Sequence, residues 1–108
     1  MITTTTDGVQ GKKVSQYHGL VSGESVIGAN AIKDFTASLS DFFGGRSDSY
    51  EKVLLEAKDT AIKEMEEHAQ KMGADAVVGV DLDYESLGSG NSMLMVVCSG
   101  TAVNLQDP

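Results

Sequence analysis

A single cysteine, a single proline and no tryptophan remove several kinds of chemistry from this 108-residue chain before any pattern is sought. The lone Cys98 cannot close a disulfide within the chain and excludes every CxxC zinc or redox motif. Basic residues are scarce as well. There are 8 Lys and Arg against 16 Asp and Glu, a formal charge of −8. A phosphate backbone or an anionic bilayer needs a basic patch, so neither nucleic acid nor membrane is expected as a partner. No apolar run approaches the ~18–20 residues of a spanning helix. Residues 1–8 carry neither the basic n-region nor the apolar h-region of a secretory signal, which makes the cytoplasm the expected address. What remains is the composition of a globular protein, 41% hydrophobic and 22% charged, with enough chain for one domain over residues 1–108.

Periodicity divides the chain into strands and helices. Ile2 to Thr6 is rich in β-branched threonine and stops at the turn signal Asp7-Gly8. Lys13 to Ile27 reads as extended structure, and with Gly19 and Gly23 inside it fits one bent strand or two short ones. Asn30 suits the N-cap of a helix over about Ala31–Phe43, ended by Gly44-Gly45. The spacing predicts a longer helix over about Ser49–Met72, capped by the Asp48-x-x-Glu51 pattern and closed by Gly73. Leu54, Ala57, Ala61, Met65, Ala69 and Met72 share one of its faces. From Asp75 to Leu87 the pattern changes to period 2. Ala76, Val78, Val80, Leu82 and Tyr84 are expected on one face of a strand, and Asp81, Asp83 and Glu85 on the other. A Gly88-Ser89-Gly90-Asn91 turn leads into a last strand over Ser92–Leu105, giving an antiparallel hairpin in an α+β domain.

That last strand is apolar on both sides. Met93, Met95, Val97 and Val103 point one way, and Leu94, Val96, Cys98 and Ala102 the other. Helices cover only one face of a small sheet, so the second face calls for a neighbouring subunit. The alternative is that the N-terminal segments fold over it within one chain.

Five blocks of residues, in order, carry a resemblance over nearly the whole chain. They are Gly28-Ala29-Asn30, Gly44-Gly45-Arg46-Ser47 with Tyr50-Glu51, the stretch Gly73 to Glu85, Met93-Leu94-Met95, and Ser99 to Val103. Together these resemble the YbjQ family, small prokaryotic proteins of unknown function labelled as heavy-metal-binding. The resemblance implies a two-layer α+β subunit similar to dodecin subunits, with an antiparallel sheet and two helices, assembled as a homopentamer. It implies no catalytic residue.

The residues themselves offer two candidate sites. Asp81, Asp83 and Glu85 put three carboxylates on one strand face, successive ones about 7 Å apart, a row whose repulsion a divalent cation would relieve. One extended strand cannot wrap an ion with all three, so a loop or another subunit must help. The plainer reading is a solvated face paired with lysines. Gly44-Gly45-Arg46-Ser47, ahead of a helix, supplies backbone N–H groups and a guanidinium for an anion or small ligand, with a simple helix connection as its plainer reading. It has neither the Gly-Lys-Ser/Thr of a P-loop nor a three-glycine dinucleotide spacing. Soft metals want several converging Cys or His ligands, and Cys98, His18 and His68 stand in separate elements. Met93-x-Met95 is a weak thioether pair for copper(I). No nucleophile–base pair is legible, so a non-enzymatic role is expected. The reading is a homo-oligomeric binding module for a metal ion or small ligand, with no established cofactor. A structural or protein-interaction oligomer without a small ligand is the alternative.

Overall fold

A computed structural model describes residues 1–28, 48–88 and 93–108. The expected helix over 31–43 and the Gly44–Ser47 turn lie outside the described residues. The described elements are β1 (Ile2–Thr3), β2 (Lys13–Ile27), α1 (Asp48–Lys71), β3 (Ala76–Leu87) and β4 (Met93–Gln106). One sheet in the order β1-β3-β4-β2 carries α1 on one face, which gives two layers.

The helix is fixed at both its face and its end. Ala57, Ala61, Met65 and Ala69 recur at four-residue intervals and are all buried. Small side chains on this stripe bring the helix backbone close to the sheet. Met72, expected on the same stripe, is 41% exposed because it lies beyond the last helical residue, Lys71. The chain leaves the helix through a Schellman motif: Gly73 N–H donates to Gln70 O at 3.0 Å, and Ala74 N–H to Ala69 O at 3.1 Å. Gly73 adopts φ +84° there, a left-handed conformation that residues with a Cβ enter at a penalty.

The sheet departs from the expected antiparallel arrangement at one edge. β2 and β3 both pair antiparallel with β4, but β1 runs parallel to β3, with Ile2 opposite Ala76 and Thr3 opposite Val77. The sheet is therefore mixed. A two-residue strand has no alternating pattern or adjoining hairpin to set its direction, and its partner lies some seventy residues along the chain (Ile2 to Ala76). Three backbone bonds hold it: Thr4 N–H to Val77 O, Gly79 N–H to Thr6 O, and Val80 N–H to Thr4 O. Thr3 Oγ1 adds a 2.6 Å bond to Glu66 Oε2 and so ties the N-terminus to α1.

Bulges decide which side chains face where. On β3 the register passes from Val78 opposite Thr101 to Asp81 opposite Ser99, one extra residue on the β3 side. Gly79, at φ +62°, takes the bend. A single uninterrupted alternation was expected, with Ala76 and Val78 on the face of Val80 and Leu82. The inserted residue breaks that parity. Val77, Val80 and Leu82 face α1, together with Val21, Val96, Cys98 and Ala102. Ala76 and Val78 lie on the outer face in a second small core with Val103, Val9, Val14 and Leu105. β2 is one strand bent by register shifts between Val14 and Gln16 and between Tyr17 and Gly19.

The molecule is long and thin, 55 × 26 × 17 Å, with a radius of gyration of 17.2 Å. A compact chain of this length would have about 13 Å. Two of the described strands are long, 15 residues in β2 and 14 in β4, and each spans most of the long axis.

The approach of α1 to β2 yields a test. A Cβ on Gly23 would sit 2.0 Å from Ala61 O and 2.6 Å from Met65 N, both rigid backbone atoms. Gly23→Ala should lower the unfolding free energy by at least the ~1–3 kcal/mol typical of overpacking, seen as a lower urea midpoint. Gly8→Ala, which meets nothing within 4 Å, should leave the midpoint unchanged.

Candidate functional site

Past the bulge, Asp81, Asp83 and Glu85 all lie on the outer face of β3, opposite the helix, and all three are exposed. The expected acid row therefore exists. The sheet register adds a fourth carboxylate. Asp83 and Glu24 both stand opposite Val97, one from each side, so a row runs Asp83–Val97–Glu24 across three strands. Two strand spacings put their Cα atoms about 10 Å apart. Lys12 pairs with Asp107 at 2.7 Å, near the opposite end of the sheet. No lysine among the described residues pairs with this row, which is exposed as the plainer reading has it. The Asp83 carboxyl is raised from its ordinary value of 3.8, first by a hydrogen bond with the Asp81 carboxyl and then by the charge of Asp81. Slight desolvation and Glu85 push the same way.

Beside the acids lies an apolar strip. Leu20 stands opposite Thr101 and is 84% exposed, Tyr17 opposite Val103 is 71% exposed, and Val26 opposite Met95 is 55% exposed. Met95 and Val97 continue the strip at half burial on β4. Val9 covers only the lower end of this face, around Ala76, Val78 and Val103. The alternative for the doubly apolar last strand, cover by the N-terminal segments, thus holds in part. The N-terminal segment covers one end, and no described residue covers the other.

The soft-ligand candidates are dispersed and already engaged. Cys98 is buried on the helix side, where its thiol donates to Ala61 O at 3.1 Å. Burial pushes that thiol's pKa up, against a lowering hydrogen bond from Gly23, with the charges of Glu64 and Glu66 adding to the rise. A thiol held neutral is a poor ligand and a poor nucleophile. His18, turned by the second β2 bulge, donates from Nε2 to Asn104 Oδ1. His68 donates from Nδ1 to Ser22 O at 2.8 Å and so pins α1 to β2. Among the described residues no three His, Cys, Asp or Glu side chains converge to hold a metal ion. The residues present do not fit a soft-metal centre. Their hard oxygens suit a Ca²⁺- or Mg²⁺-like ion, and only with ligands from elsewhere. No described helix is long and apolar enough to cross a membrane.

Sequence reasoning found the acid row but not Glu24, nor the exposed trio Tyr17, Leu20 and Val26. Their signal is the β2–β4 register, which two bulges displace.

The acid row predicts a pH-dependent stability change. Because the folded-state value of Asp83 is raised, the native state holds its proton more tightly than the unfolded chain, and stability falls as pH rises through that value. Asp83→Asn should therefore raise Tm at pH 7. The gain should vanish below the ordinary aspartate value of 3.8, where wild type is also protonated. Equal gains at pH 7 and pH 3 would rule out charge as the cause.

The chain resembles known proteins along its whole length. A UPF0145 protein of Acetivibrio thermocellus is 58% identical over 106 residues, covering 98% of this chain and all of the relative. A UPF0145 protein of Clostridium botulinum is 60% identical over 103 residues, covering 95% and 97%. A crystal structure of a Pediococcus pentosaceus protein of unknown function, of the DUF74 family, superposes with a TM-score of 0.63 at 16% identity, covering 98% of both chains. That likeness concerns the fold. The family model described as "Putative heavy-metal-binding" matches residues 1–106, and this chain belongs to that family, the YbjQ family.

Proposed function

We propose that this protein works as a homo-oligomeric binding module, a pentamer as the family resemblance implies. Copies pack through the outer face of the sheet, and the Asp81–Asp83–Glu85 row becomes a site for a hard divalent cation once a neighbouring chain adds ligands. One observation supports this above the rest: Tyr17, Leu20 and Val26 stand 71%, 84% and 55% exposed on a single sheet face. Monomers rarely leave such a strip in water. The elongated shape agrees with it, since a thin sheet gains burial by lying against copies of itself. A cyclic assembly also repeats each carboxylate about its axis, which supplies the oxygens that one strand cannot.

A second reading keeps the oligomer and drops the ion. In favour of a purely structural or protein-docking assembly is the dispersal of Cys98, His18 and His68, each already hydrogen-bonded. The two readings share an interface and differ in a ligand. The Gly44-Gly45-Arg46-Ser47 turn is a separate proposal for an anion. Inorganic phosphate should raise Tm in wild type and leave Arg46→Ala unmoved.

Native mass spectrometry of untagged protein, purified without chelator, tests both parts. Wild type should appear as a pentamer, and Leu20→Asp, which changes an exposed side chain, as a folded monomer with unchanged far-UV circular dichroism. A monomeric wild type at micromolar concentration would overturn the interface. Titration with Ca²⁺ or Mg²⁺ should add reproducible mass to the pentamer, and Asp81→Asn with Asp83→Asn should abolish it. A pentamer that takes up neither ion would leave the structural reading standing.

A further inference from the structure

We draw no further inference here: the strongest candidate, the four exposed carboxylates Glu24, Asp81, Asp83 and Glu85 flanking the apolar strip on the outer face of the sheet, is an acidic cluster to which nothing else in the structure assigns a ligand, and the strip beside it belongs to the interface already proposed.

Discussion

The close seating of α1 on β2 and β4 governs much else in this molecule. Gly23 has no side chain, and the helix backbone at Ala61 and Met65 occupies the space where one would be. Alanines at 57, 61 and 69 thin the helix on the same side, and Cys98 fills the contact while donating to Ala61 O. Small groups on both partners let backbone approach backbone, and packing at interior density follows. The consequence is directional. The helix is committed to one face of the sheet, and its short stripe leaves nothing to reach round to the other.

The outer face carries the most exposed of the described apolar side chains, Leu20 and Tyr17. The Gly79 bulge shares it out. Below the bulge, Ala76 and Val78 turn outward and are roofed by Val9; above it, the outward positions become Asp81, Asp83 and Glu85. One inserted residue thus converts a hydrophobic strand surface into an acidic one along the same edge. Across the sheet from those acids, β4 and β2 stay apolar at Val97, Met95, Val26 and Leu20. A face that is apolar along β4, mixed along β2, where Glu24 stands between Leu20 and Val26, and acidic on β3 is asymmetric. A partner copy would meet it with a preferred orientation, since burying unpaired carboxylates is strongly unfavourable.

Much of this was legible in the sequence, and the exceptions share a cause. The helix from Asp48 announced itself through alanine spacing and ended, as its Gly73 signal required, in a Schellman motif. The terminal hairpin and the two apolar sides of β4 also follow from alternation, because β4 supplies the register for both neighbours. What alternation cannot carry is a bulge. Each inserted residue reverses parity across it, so alternation groups Ala76 and Val78 with Val80 and Leu82 where the bulge puts them on opposite faces. For the same reason Leu20 could not be matched to its cross-strand neighbour. Glu24 joined the acids only through its place opposite Val97, a relation between distant segments that no local pattern encodes. The direction of β1 was likewise set by bonds to Val77, Gly79 and Val80, not by its own two residues.

The family's heavy-metal description can be weighed against donor chemistry. Soft ions bind through thiolate and imidazole, and a usable site needs those groups deprotonated, convergent and free. Here the thiol is buried with its pKa raised, and each histidine spends a ring nitrogen on fastening β2, one to β4 and the other to α1. Drawing either histidine to a metal through that nitrogen would loosen the contact it makes. Among the described residues the outer-face carboxylates of β3 bond to no other element. They are exposed, they repel one another, and Asp83 already holds its proton more tightly in response. Among the described residues, the carboxylates whose mutual repulsion a cation would relieve are those on the outer face of β3. An ion there would compete with protons, so its affinity must rise with pH through the raised Asp83 value.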